Sequence, residues 1–324
     1  MGHGGQVDRH GADVSERAGM RAVFVDANPS LAAVADRLQR AGDPQVVINR
    51  DANVKPEDLP HVLNGAAIMI IDHTYFPADV ARRCKGLEHV VFLGTGARSY
   101  MNPDELAGIG ITVHLIKGYG DTAVAEHTIA LMWDAARGTA RMDREMRAGN
   151  WLRTDGLQLT GKTLGLIGFG GIGSEVARLA LGIGMRVLAF NRTPKDHAGV
   201  EFVPVERLLA ESDVVSLHLL LDDQTKGFLS RERIAALRHG AILVNTARAG
   251  LVDEEAMIAA LRSGHIAHAA LDVFNVEPLP AGHVLTSLPN VTLTAHSAFR
   301  TPEASDNLIE AALVHCRRIA ADAP

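Results

Sequence analysis

TLGLIGFGGIGSEVARLALGIGMRVLAFNRTPK, residues 163–195, reads as a strand, a glycine turn, a helix and a second strand. The apolar run Thr163 to Ile167 suits a buried strand, and Gly168, Gly170 and Gly173 follow it at GxGxxG spacing before a helical stretch from Ser174 to Gly182. Gly168 allows the tight turn, Gly170 lets the backbone approach a pyrophosphate, and Gly173 lets the helix pack closely on its strand. Phosphate groups would then lie at the helix N-terminus, where unpaired amides and the helix dipole favour negative charge. The segment therefore predicts a dinucleotide site, with Gly171 and Ile172 in the same turn.

The end of the second strand bears on which dinucleotide is taken. An NAD site usually places Asp or Glu there to accept from the ribose hydroxyls. Here the position holds Asn191, followed by Arg192, Thr193 and Lys195. A carboxylate would repel a 2′-phosphate, whereas an amide tolerates it and a guanidinium can bind it bidentately. NADPH is favoured on this ground and NADH stays open, as does the reading of Arg192 as a solvated turn residue. His218, Thr246 and Ala247 are also expected to border the cofactor.

Composition narrows the class. At 324 residues and 47% hydrophobic content the chain can build two cores. A net charge of −6 without a Lys/Arg block gives no sign of a nucleic-acid or membrane surface. No apolar run reaches the roughly 18 residues that span a bilayer, and residues 1–19, rich in Gly, His, Asp and Arg, lack the apolar core of a signal peptide. They read as a disordered extension, and a cytoplasmic location is expected. Two cysteines, Cys84 and Cys316, imply no disulfide framework. The 15 histidines contain no HExxH, and His265 with His268 lacks further ligands at a recognisable spacing, so no metal is expected.

From Arg21 onward strands and helices alternate, which argues for parallel sheets. Ala22 to Val25, Val46 to Ile48, Ala66 to Ile71, Val90 to Leu93 and Ile111 to Leu115 form one set of five strands. Six more are expected at Thr163 to Ile167, Arg186 to Asn191, Asp213 to Leu219, Ala241 to Ala247, Ile266 to Val273 and Val291 to Ala295. Between the sets Thr122 to Arg137 has helical apolar spacing, with Gly118 and Gly120 before it as a candidate hinge. The last helix, from Pro302 to Ala320, has no strand of its own to cover and is expected to return to the first domain. The expected division is 20–118 with 297–324 for one domain and 119–296 for the other.

In open α/β sheets ligands bind outside the carboxyl ends of the strands. Arg248, Glu277 and His296 follow the fourth, fifth and sixth strands of the second set. These types suit reduction of a 2-oxo acid: a cation forks onto the carboxylate, an imidazolium protonates the developing alkoxide, and a carboxylate keeps that imidazole charged and oriented. Taken singly, each has an ordinary structural reading.

With GTGA (94–97), VAEHTIALM (124–132), LIGFGGIG (166–173), VNTARAGLVDEEA (244–256), ALDVFNVEPLP (270–280) and TAHSAFRTPEA (294–304), the chain resembles the D-isomer-specific 2-hydroxyacid dehydrogenases over nearly everything after Met20. The resemblance implies two doubly wound parallel-sheet domains, a Rossmann cofactor domain inserted in a smaller flavodoxin-like substrate domain. It implies that Arg248, Glu277 and His296 are catalytic, that the amides of Thr95 and Gly96 join Arg248 on the substrate carboxylate, and that Asp272 contacts the nicotinamide carboxamide. It further implies a small 2-oxo or D-2-hydroxy acid substrate, of the glyoxylate or hydroxypyruvate kind, and a homodimer embraced by the arm Thr139 to Gln158. Phosphoglycerate and phosphite dehydrogenases of the same family are alternatives, and a dinucleotide-sensing corepressor is an alternative of another class. The family's formate dehydrogenases carry Gln at the place of Glu277, which disfavours that activity.

The chain departs from the family at Arg98 and Ser99, which replace an Asp-Asn pair, and at Lys117 and Leu220, which replace prolines. Arg98 reads either as a second cation for a dianionic substrate or as a solvent-facing residue. The His73, Thr74, Tyr75 loop is expected to shape the substrate pocket.

Overall fold

The computed structural model describes residues 20–41, 43–193 and 195–322. The expectation for residues 1–19 falls outside them. The chain divides into two compact units, one comprising the chain up to Gly120 and from Thr301 onward, the other Asp121–Arg300. Compared with the expected boundaries, Tyr119 and Gly120 join the first unit and residues 297–300 join the second. The reason at the second crossing is local: the amides of Ser297 and Ala298 donate to the Asp272 carboxylate at 3.0 Å each, which ties their turn to the second sheet.

The first unit holds five parallel strands in the order β2-β1-β3-β4-β5: β1 (Ala22–Phe24), β2 (Val46–Ile48), β3 (Ile68–Ile71), β4 (His89–Phe92) and β5 (Thr112–Leu115). Alternation along β1 sends Ala22 and Phe24 to one face and Val23 to the other, so each face has its own apolar cluster. Helix α1 (Pro29–Leu38) starts where Asn28 Oδ1 accepts from the Leu31 amide at 3.0 Å and Pro29 takes the first helical position. The last helix, labelled α7 (Pro302–Asp322), belongs to this unit and buries Leu308, Ile309, Ala312, Leu313 and Cys316 in the cluster shared with α1. Burial pushes the Cys84 thiol up to about 11 and the Cys316 thiol up to about 12, so both are small apolar residues rather than nucleophiles.

The second unit is a seven-stranded parallel sheet ordered β12-β11-β10-β9-β6-β7-β8. Its strands are β6 (Thr163–Ile167), β7 (Arg186–Phe190), β8 (Val200–Phe202), β9 (Val214–Leu217), β10 (Ala241–Asn245), β11 (Ile266–Leu271) and β12 (Val291–Leu293). The sequence reading expects six and misses β8. This strand is a three-residue edge with Glu201 at its centre, held outward by ion pairs to Arg186 and Arg207, and so short a run carries no period. One face packs against α2 (Asp121–Arg137) and α4 (Gly171–Gly182), and the other against α5 (Val205–Glu211) and α6 (Glu254–Ser263). Helix α3 (Thr139–Arg147) opens the expected arm, in which Met146 is 50% and Trp151 74% exposed. The order of the strands reverses at β6, flanked by β7 and β9, which marks the crevice where ligands of such sheets bind.

Candidate active site

The glycine turn sits at that reversal. Gly168 has φ +99°, and a Cβ there would overlap the carbonyl of His218, so the turn tolerates no side chain. A Cβ on Gly173 would overlap the Gly168 carbonyl, which is the close helix-to-strand approach the spacing predicts. At Gly170 a Cβ would meet nothing within 4 Å, and no side chain caps α4. Open space above an uncapped helix N-terminus, reached by the glycine backbone, fits a pyrophosphate. Burial holds the neighbouring His218 down to about 4, so it is neutral, with Ser216 Oγ 2.9 Å from Nε2.

Asn191 is fixed in the turn after β7. Its Oδ1 accepts from the Phe169 amide at 3.2 Å and its Nδ2 donates to the Thr193 carbonyl at 2.7 Å. Arg192 is exposed, with a 3.5 Å contact from Nη1 to Gln224 Oε1.

Arg248, Glu277 and His296 follow β10, β11 and β12, three adjacent strands. His296 Nδ1 lies 2.7 Å from Glu277 Oε2. A carboxylate only accepts, so Nδ1 carries the proton of this bond and Nε2 is the nitrogen left for a substrate. Glu277 Oε1 accepts in turn from the Phe274 amide at 2.9 Å, which fixes the carboxylate plane. The two side chains remain about a third exposed, 34% and 35%. Arg248 is positioned by its own turn: buried Asn245 accepts from the Ala247 amide and donates to the Arg248 carbonyl, 3.0 Å each, and Arg248 Nη1 donates to the Ala247 carbonyl at 2.7 Å. Thr246 is anchored to α2 by Thr128, Oγ1 to Oγ1 at 2.8 Å.

His296 has φ +48°, a left-handed conformation that costs a non-glycine residue roughly 1–2 kcal/mol. Asp272 is what holds it. The His296 amide donates to the Asp272 carbonyl at 2.8 Å, Ser297 N and Thr294 Oγ1 donate to Oδ1 at 3.0 and 2.6 Å, and Ala298 N donates to Oδ2 at 3.0 Å. Behind Thr294, His127 Nε2 is 3.0 Å from its hydroxyl. Burial pushes the Asp272 carboxyl up, but these donors outweigh it and leave the group below the usual range. With 0% exposure and both oxygens engaged, Asp272 holds the turn that carries His296. His127 and Thr294 escape the sequence reading because their contacts join separate elements, and Asn245 because it acts on the backbone of its own turn. Their only local signals are VNTAR, VAEHT and TAHS.

In the first unit Gly94 has φ +150°, which turns the chain after β4, and Gly96 precedes a short 3-10 turn, Ala97–Ser99. The amides of Thr95 and Gly96 donate to no described group. Arg98 Nη2 donates to Asp104 Oδ2 at 2.8 Å on the surface. The loop after β3 is organised by Asp26, 0% exposed, which accepts from the amides of Asp72, His73 and Thr74. Thr74 is buried, and Tyr75 is the 58% exposed member of this loop. The Asp72 carboxylate, with Asp26 behind it, raises His73 to about 9.

Residues 129–298 match the family model for the D-isomer specific 2-hydroxyacid dehydrogenase, NAD binding domain. A glycerate dehydrogenase of Methylorubrum extorquens is 34% identical over 79% of this chain and 83% of its own. The chain belongs to this family. A hydroxypyruvate reductase of Thermotoga maritima is 37% identical over 78% of this chain and 84% of the relative. Among solved structures, a Thermus thermophilus protein superposes with a TM-score of 0.81 at 36% identity, over 91% of this chain and 94% of that one. The protein is thus a D-2-hydroxyacid dehydrogenase, an oxidoreductase with a nicotinamide dinucleotide cofactor, built on two parallel-sheet α/β domains. Among the described residues no helix is long and apolar enough to cross a membrane.

Proposed function

We propose that this dehydrogenase reduces small 2-oxo acids such as glyoxylate or hydroxypyruvate, with NADPH preferred over NADH and with Arg248, Glu277 and His296 as its catalytic residues. The observation that carries the reading is the commitment of His296 Nδ1 to Glu277 at 2.7 Å, which leaves Nε2 for proton transfer beside the turn that carries Arg248. The dinucleotide would be held by Gly168, Gly170, Gly171, Ile172, Gly173, Asn191, Arg192, Thr193, His218, Thr246, Ala247 and Asp272, and its nicotinamide supplies a hydride to the carbonyl carbon when bound. His296 gives the Nε2 proton to the carbonyl oxygen as charge develops there, and the Glu277 carboxylate balances the imidazolium before that transfer. Arg248 pairs with the substrate carboxylate, and the undonated amides of Thr95 and Gly96 complete its binding. The product is a D-2-hydroxy acid, or glycolate from glyoxylate.

The preference for NADPH rests on the absence of a carboxylate at Asn191 and on the exposed guanidinium of Arg192. The test is steady-state turnover of a 2-oxo acid panel, phosphorylated members included, with each cofactor. Arg192→Ala should raise the Michaelis constant for NADPH about 10-fold more than that for NADH. A wild-type preference for NADH sinks the cofactor assignment, and binding without turnover favours the corepressor reading.

The same proposal includes a two-fold homodimer through the arm that starts at α3, supported by the exposed Met146, Trp151 and, on α2, Trp133 at 43%. Light scattering showing a monomer at micromolar concentration rejects it.

A further inference from the structure

Asp121, the first residue of α2, has no part in the reaction above. Its carboxylate lies against Gly171, the first residue of α4, and the atoms that a Cβ on Gly171 would overlap are those of Asp121. A side chain at position 171 would have to displace the Asp121 carboxylate. That acid is partly buried, yet it makes no hydrogen bond or ion pair with any described residue, the amides at the start of α4 included. Burial, and then the charge of Glu175, hold its carboxyl above the usual range. Of the charged groups on the two facing helices, Glu175 binds Arg178 at 2.9 and 2.6 Å, and Glu126 adds its charge to Arg178. An unpartnered acid thus stands at the helix end where a dinucleotide would set its phosphates.

We propose that Asp121 makes dinucleotide binding proton-linked: the ionised carboxylate opposes the pyrophosphate at the start of α4, and the neutral acid does not. The inference rests on the dinucleotide reading of the glycine turn. Adding negative charge beside Asp121 favours its protonated form, so binding takes up a proton wherever the free protein holds Asp121 ionised. Affinity then falls as pH rises through the titration of Asp121 and levels off above it. Loss of the proton favours cofactor release.

The test is calorimetric titration of the protein with NAD⁺ between about pH 4 and 8, repeated in buffers of different ionisation enthalpy to count protons, with NADP⁺ as a second dinucleotide and adenosine as a phosphate-free control. Wild-type affinity for NAD⁺ should weaken about 10-fold across the range, with proton uptake. Asp121→Asn and Asp121→Ser should bind NAD⁺ tightly at every pH without uptake, and adenosine should bind all three proteins alike. A pH-independent wild-type affinity overturns the proposal, as does weaker dinucleotide binding by both variants, which would make Asp121 an acceptor for the cofactor. Wild-type protein that binds adenosine but neither dinucleotide overturns the dinucleotide reading itself, and this inference with it.

Discussion

Asp272, fully buried, and Asp121, partly buried, are two acids of the same unit that respond in opposite directions. Around Asp272 burial acts first to raise the carboxyl, but Thr294, His127 and the amides of Ser297 and Ala298 outweigh it, and the group is held low. Around Asp121 burial acts first as well, Glu175 adds to it, and no donor answers. Burial alone therefore does not decide whether an acid stays charged; the supply of donors does. The saturated acid is a fixed part of the scaffold, while the unsaturated one can change state when a ligand arrives.

The largest effect should come from the residue that the saturated acid positions. His296→Ala removes the proton donor and leaves Asp272 and its amides in place, so reductive turnover should fall roughly 10³-fold with dinucleotide affinity largely kept. Steady-state rates with a fluorescence titration of the reduced cofactor separate the two. Turnover near that of the wild type would remove His296 from the mechanism.

Next in size is the loss of the clamp itself. Asp272→Asn replaces one accepting oxygen by a donor, which leaves the amide of Ser297 or Ala298 facing another N–H inside the protein. An unsatisfied buried donor costs about 1–3 kcal/mol, and the left-handed turn at His296 loses the contact that offsets its strain. Urea unfolding should show a stability loss of that order, and turnover should fall as His296 is released. An unchanged midpoint with weakened cofactor binding would make contact with the nicotinamide carboxamide, rather than support of the turn, the main role of Asp272.

These two regions were unequally legible in the sequence. Arg248, Glu277 and His296 each follow a recognisable apolar run, and strand ends in an open parallel sheet point to one crevice, so chain order alone brings them near each other. The glycines of 168–173 are legible for the same reason, since their spacing is local. The roles of Asp272 and Asp121 depend on distance in the chain. The first is buried by a turn more than 20 residues later, and the second meets Gly171 only because α2 packs on α4. A single sequence reports the residue type in both cases and the number of donors in neither. Strand β8 was lost to shortness, as VEF has too few residues to display alternation.

The smallest effect carries the sign of the comparison. For Asp272, whose carboxyl is lowered by folding, the stabilisation is complete above the unfolded value of about 3.9 and disappears as pH falls through the lower folded value. For Asp121, raised by folding, ionisation costs the native state: the penalty is absent below about 3.9 and complete above the higher folded value. Asp121→Asn should therefore gain a little stability over wild type as pH climbs through the carboxylate range, while the deficit of Asp272→Asn grows over the acid end of it. Denaturant midpoints from about pH 2 to 7 give both difference curves. Curves that slope the same way would show that burial, rather than the supply of donors, governs both acids.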